Sequence, residues 1–153
     1  MPDAQLHLES APTQDERTMA ILAHVLQIVG WWIAPLIIFL IKRESRFTSF
    51  HALQALLLQI LYMFLMGVFM VVWITGIFIV VVHAPTQKGA PPPTGLLLLP
   101  LIWLGWMALW ALMIVMAIVY GIKAGRGEWS EYPVLGRWAR SVLKIGPGGA
   151  PIL

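Results

Sequence analysis

Residues 42–59 read KRESRFTSFHALQALLLQ. A cationic turn made by Lys42, Arg43 and Arg46 runs into an apolar helix that carries His51, Gln54 and Gln59 near its start. Polar side chains at the mouth of a helix that otherwise partitions into hydrocarbon are costly in lipid, so they need partners or mark a function. The basic turn and the polar mouth together assign this segment to a membrane boundary, and the flanks are read outward from it.

On the N-terminal side, residues 19–41, MAILAHVLQIVGWWIAPLIIFLI, are long enough at about 1.5 Å per residue to cross a hydrocarbon core of about 30 Å. They are expected to form a first span, bent or broken between Gly30 and Pro35, because an internal proline removes a backbone hydrogen bond. Residues 1–15 are polar and are expected to form a flexible tail without the features of a secretory signal. Thr13 and Glu16 have the spacing of a capping box and so mark a helix start.

On the C-terminal side the apolar run continues to Val82, longer than one bilayer requires. A second span is expected over 52–82, with Thr48 to Gln54 in the headgroup region. HAPTQKGAPPPTG at 83–95 is a loop, since three consecutive prolines cannot continue a helix. A third span is expected over 96–122, where Trp103, Trp106 and Trp110 share one face as a packing or interfacial stripe. Beyond Lys123 the pattern breaks, and 133–145 reads as an amphipathic helix lying in the membrane surface. Val134, Leu135, Trp138, Val142 and Ile145 fall on one side of it, and Arg137, Arg140, Ser141 and Lys144 on the other. Residues 146–153 read as a disordered Gly/Pro-rich tail.

The composition agrees with this frame. Of 153 residues, 59% are hydrophobic and 11% charged, against about 45–50% apolar residues in soluble domains; the mean hydropathy is +0.82. The absence of cysteine excludes disulfides, thiolate catalysis and cysteine metal sites. The net charge of +3 comes from basic residues beside apolar segments, where they orient the chain and attract anionic lipid headgroups; no nucleic-acid recognition module is visible. Three spans would place Lys42, Arg43, Arg46, Lys123, Arg126, Arg137, Arg140 and Lys144 on one side and only Arg17 and Lys88 on the other. The positive-inside rule then makes the first side cytoplasmic and leaves the N-terminus outside.

His24 and Gln27 lie one turn apart in the first span, and His51, Gln54, Gln59 and Tyr62 share a broad face of the second. If the two spans are antiparallel, His24 and His51 sit at opposite ends and do not touch. Three readings compete for these groups: interhelical hydrogen bonds, a path for a polar substrate, and a metal site, the last without the expected ligand spacing. No nucleophile, base and acid combination sits at membrane depth, so neither enzymatic activity nor a cofactor is expected.

The blocks ERTMAILAHV (16–25), GWWIAPLIIFLIKRES (30–45), FHALQALLLQ (50–59) and YGIKAGRGEWSEYP (120–133) resemble a bacterial family of small multi-span membrane proteins described as Tic-twenty-like. The family is distantly similar to a chloroplast inner-envelope import translocon component. The resemblance covers roughly residues 15–140; His51, Gln54, Ala55 and Gln59 match its H-A-x-Q-A block, while Leu57 replaces a residue that is often polar. It implies an inner-membrane location and a role related to protein translocation, although the translocon relative has four spans rather than three. The sequence therefore predicts an all-α integral membrane protein with three transmembrane helices and a C-terminal interfacial helix. It is read as a non-enzymatic component acting as a homo-oligomer or with other membrane proteins. A small transporter or channel for a polar solute or ion is the alternative.

Overall fold

The computed structural model describes residues 11–82 and 98–150. The expected loop at 83–95 and the ends of both tails lie outside the described residues. Among the described residues five α-helices follow one another: α1 (Gln14–Gly30), α2 (Ile33–Ile41), α3 (Arg46–Val82), α4 (Leu98–Gly125) and α5 (Leu135–Leu143). Among the described residues two helices, α3 and α4, are long and apolar enough to cross a membrane.

The segment expected to be the first span is two helices, broken at Trp31 and Trp32 within the stretch Gly30 to Pro35 where a bend or break was expected. Thr13 accepts from the Glu16 backbone and the Glu16 carboxylate accepts from the Thr13 N–H, which closes a capping box and starts α1. The helix stops at Gly30, where Trp31 takes a positive φ of 54° that cannot propagate an α-helix. A Cβ on Gly30 would lie 2.8 Å from Ala34 Cβ, so the turn needs the missing side chain. Pro35 then falls in the first turn of α2, where a proline sacrifices no helical hydrogen bond. The proline that reads as a kink within a long helix belongs instead to the start of a new one.

α2 folds back on α1. Ala23 of α1, Ile38 of α2 and Ala52 of α3 share one buried cluster, with Met19, Leu22 and Phe39 packed on it. At the base of this hairpin Lys42 Nζ lies 2.7 Å from Asp15 Oδ2, and Ser45 Oγ donates to Glu16 Oε1 at 2.7 Å. Ser45 Oγ also accepts from Thr48 N in the first turn of α3. The chain therefore enters α3 beside the start of α1, so the two helices run parallel.

Two compact units are present: residues 1–59 with 116–153, and residues 60–115. In the first, Phe50, Leu53, Ala139 and Ile145 form a buried cluster, and Ala20, Phe47 and Ala124 form another; Trp129 packs against both. Gly121 faces His24 and Gly127 faces Arg17, so the end of α4 runs antiparallel to α1. The second unit is apolar and aromatic. Phe69 stacks on Trp106 at 5.0 Å and on Trp103 at 6.4 Å, and Tyr62 lies 4.9 Å from Trp106. Of the expected tryptophan stripe, Trp106 is half-buried within the unit, while Trp103, despite its contact with Phe69, and Trp110 are exposed. Gly76 meets Leu99, whereas a Cβ on Gly67 would meet nothing within 4 Å.

The C-terminal helix is shorter than the expected 133–145. Leu135 N donates to Pro133 O across Val134, whose φ of 68° and ψ of −55° make a γ-turn, so the helix can start only after it. Gly136 and Ala139 are buried on the inner face of α5. Val134, Trp138 and Val142 are exposed, whereas Ile145, expected on the same side, is buried. Residues 147–149, read as part of a disordered tail, form a short 3-10 turn.

Candidate functional site

The most polar interior of the molecule lies within the first unit, where His24, Gln27, His51, Gln54 and Gln59 are all buried. Contrary to the expectation from antiparallel spans, His24 Nε2 lies 3.0 Å from His51 Nδ1. The reversal through α2 causes this: with α1 parallel to α3, His24 and His51 come to the same level, and Gln59 Nε2 reaches the Gln27 carbonyl at 3.1 Å. Tyr62, grouped with them on periodicity, belongs to the other unit and packs on Trp106.

Residues 126–134, between α4 and α5, complete the network. His51 Nε2 is 3.1 Å from the Glu128 carbonyl, Gln54 Nε2 donates to the Ser130 carbonyl at 3.2 Å, and Tyr132 N donates to Gln54 Oε1 at 2.6 Å. Tyr132, only 1% exposed, places its hydroxyl 2.9 Å from His24 Nδ1 and 3.3 Å from Gln27 Nε2.

These partners fix the direction of every proton. A carbonyl oxygen only accepts, so His51 Nε2 carries a hydrogen and, with one proton per ring, His51 Nδ1 accepts. His24 Nε2 is then the donor to it and His24 Nδ1 the acceptor. Tyr132 O–H donates to His24 Nδ1, and its oxygen accepts from Gln27 Nε2. The result is a single-file chain from Gln27 through Tyr132, His24 and His51 to the Glu128 carbonyl. Burial holds the Tyr132 hydroxyl well above the ordinary tyrosine range; the Gln27 N–H opposes this and nearby Tyr120 adds to it, and the net effect keeps the phenol a donor.

All four imidazole nitrogens are engaged, which leaves no lone pair to ligate a metal in this arrangement. Among the described residues no group of three or more His, Asp or Glu side chains converges. Gln27 Oε1, Gln59 Oε1 and Ser130 Oγ are buried without a hydrogen-bond partner among the described residues.

The residues assigned to a basic face divide. Arg43, Arg46, Arg126, Arg137 and Lys144 are exposed. Lys123 lies over the Tyr120 ring, and Lys42 is paired with Asp15. Arg140 is not a surface charge: it pairs with Glu131, donates to the Gly146 carbonyl and sits 4.8 Å over the Phe50 ring. At the hairpin base, Asp15, Glu16 and Glu44 line an open cleft with Thr13, Lys42 and Ser45. Burial raises the Glu16 carboxyl's proton affinity, but bonds from the Thr13 N–H and the Ser45 and Thr13 hydroxyls outweigh it and set the group below the usual carboxylate range.

Sequence reasoning missed Tyr132 and the carbonyls of Glu128 and Ser130. A tyrosine in a stretch without apolar period, just before a proline, was the available signal.

The profile of the magnetosome magnetite crystal formation protein family, MamF/MmsF, matches residues 15–139. This replaces the Tic-twenty-like resemblance, and the translocation role it implied falls with it. No curated protein and no solved structure gives a match.

Proposed function

The chain belongs to the magnetosome magnetite crystal formation protein family, and from that membership we propose that it is a non-enzymatic integral membrane protein of the magnetosome membrane that takes part in forming the magnetite crystal. The observation that carries this reading is the extent of the match, which encloses α3, α4 and both buried histidines. The hydrogen-bond chain supports a structural use of the polar interior, because its last donor ends on a backbone carbonyl rather than on a titratable group. On the same reading the exposed stripe of Val134, Trp138 and Val142, flanked by Arg137 and Lys144, lies against anionic headgroups.

Deleting the gene in a magnetite-forming host tests the role. Electron microscopy should show a changed crystal size, shape or number that the wild-type chain restores; unchanged crystals overturn the reading. Liposomes holding the purified protein should show no ion or solute flux above empty vesicles. A flux abolished by His51→Ala and Gln54→Ala would replace the structural role with a transporter.

A further inference from the structure

The α1–α2 hairpin has two unlike ends. Asp15, Glu16, Arg17, Lys42 and Arg43 gather at its base, where the Asp15–Lys42 ion pair and the Glu16–Ser45 hydrogen bond join the start of α1, the end of α2 and the start of α3. From Thr18 to Ile41 there is no charged residue, and the polar groups His24 and Gln27 are turned inward and buried. The outward surface is apolar: Val29 is 83% exposed, Ile41 71%, Trp31 56% and Ile33 52%, with Ile37 and Leu40 between them. Among the described residues nothing in the first unit covers these side chains.

We propose that this hairpin is a re-entrant element whose tip, Val29 to Ile33, is buried in the acyl chains of the one leaflet at which α3 begins. Its base lies among the headgroups, and the N-terminus therefore stays on the same side as α5. Three observations carry the proposal beyond exposure alone. The charges are confined to one end, which suits a wedge with its base in water and its tip in lipid. The reach stops short of a crossing: α2 has 9 residues and α1 has 17, the first turn of α1 being charged, about 14 and 26 Å at 1.5 Å per residue, each less than a hydrocarbon core of about 30 Å. The direction fits as well, because α1 runs parallel to the first part of α3, residues 46–59, so the tip points away from the cationic start of α3. Non-regular backbone at Trp31 and Trp32 is tolerable at depth where neighbouring protein meets its polar groups, and Leu36 N already donates to Trp32 O.

The side assigned to the N-terminus changes with this. Arg17 joins Lys42, Arg43, Arg46 and the five basic residues from Lys123 onward, so nine of the ten Lys and Arg lie on one side, with Lys88 alone opposite. The positive-inside rule makes that side cytoplasmic and brings the N-terminus with it.

The inference rests on α3 and α4 crossing the bilayer, and the test separates the two claims. The chain has no cysteine, so single cysteines at Gln14, Gln87 and Arg137 can be labelled in sealed vesicles with an impermeant maleimide. Gln14 and Arg137 should label from one face and Gln87 from the other. Gln14 labelling together with Gln87 overturns the hairpin while leaving the two crossings intact. Gln87 labelling together with Arg137 overturns the crossings and the hairpin with them. A nitroxide at Val29, and independently at Ile33, should collide more with oxygen than with a nickel chelate; the reverse at both sites overturns insertion of the tip.

Discussion

Tyr132 holds two helices and a loop at one point. Its backbone N–H binds Gln54 of α3, and its hydroxyl binds His24 and Gln27 of α1. Removing that hydroxyl strands a buried acceptor and a buried donor, and each such loss costs about 1–3 kcal/mol. Tyr132→Phe should therefore lower the melting temperature in detergent by several degrees, and His51→Ala, which strands His24 Nε2–H and the Glu128 carbonyl, by at least as much. Unchanged melting in both variants would show that the chain of bonds adds nothing. Glu16 gives a pH dependence of definite sign. Its carboxyl binds a proton less readily when folded than when unfolded, so its contribution is present at neutral pH and above the ordinary carboxylate range. It is lost as pH falls through its lowered folded value. Acid titration of the melting temperature should fall less steeply in Glu16→Gln; identical slopes would count against the Thr13 and Ser45 bonds. At this scale the sequence exposed the polar residues but not their partners. His24 and His51 stand out against apolar neighbours, whereas the group that binds each is set by helix direction, which no spacing encodes.

Helix direction was decided at Gly30 to Pro35. A glycine, two tryptophans and a proline within an apolar run are compatible with a kink or with a complete reversal, and hydropathy has no term that separates them. What separates them is long-range: Lys42 on Asp15, and Ile38 beside Ala23. α3 and α4 were legible because length and apolar content suffice for them. The outward face of α5 was legible in part: Trp138 and Val142 are exposed, but Arg140 turns inward to Glu131 and Phe50. The two helix glycines give opposite expectations. Gly30→Ala forces a Cβ against Ala34 Cβ, a rigid neighbour, and should destabilise by about 1–3 kcal/mol. Gly67→Ala meets nothing and should stabilise α3 by about 0.5–1 kcal/mol. Paired thermal melts of the two variants check this, and a stabilised Gly30→Ala would mean that the reversal is not as tight as described.

For the molecule as a whole, α3 and α4 lead to a simple expectation: the protein stays in the membrane pellet after alkaline carbonate washing. Appearance in the soluble fraction would remove the bilayer from every argument made above. The bonds within the first unit also differ in how far apart along the chain their partners lie. The Lys42–Asp15 pair joins residues 27 apart, and the Tyr132–His24 bond joins residues 108 apart. During synthesis the hairpin can close as soon as α2 has emerged, whereas His24, Gln27 and Gln54 wait for a loop that follows both long helices. A nascent or truncated chain ending at Gly127 would thus leave His24 Nδ1, Gln27 Nε2, His51 Nε2 and the Gln54 amide without the partners they have in the finished chain. The last segment is therefore a latch, because the polar interior is complete only once residues 128–132 have been added.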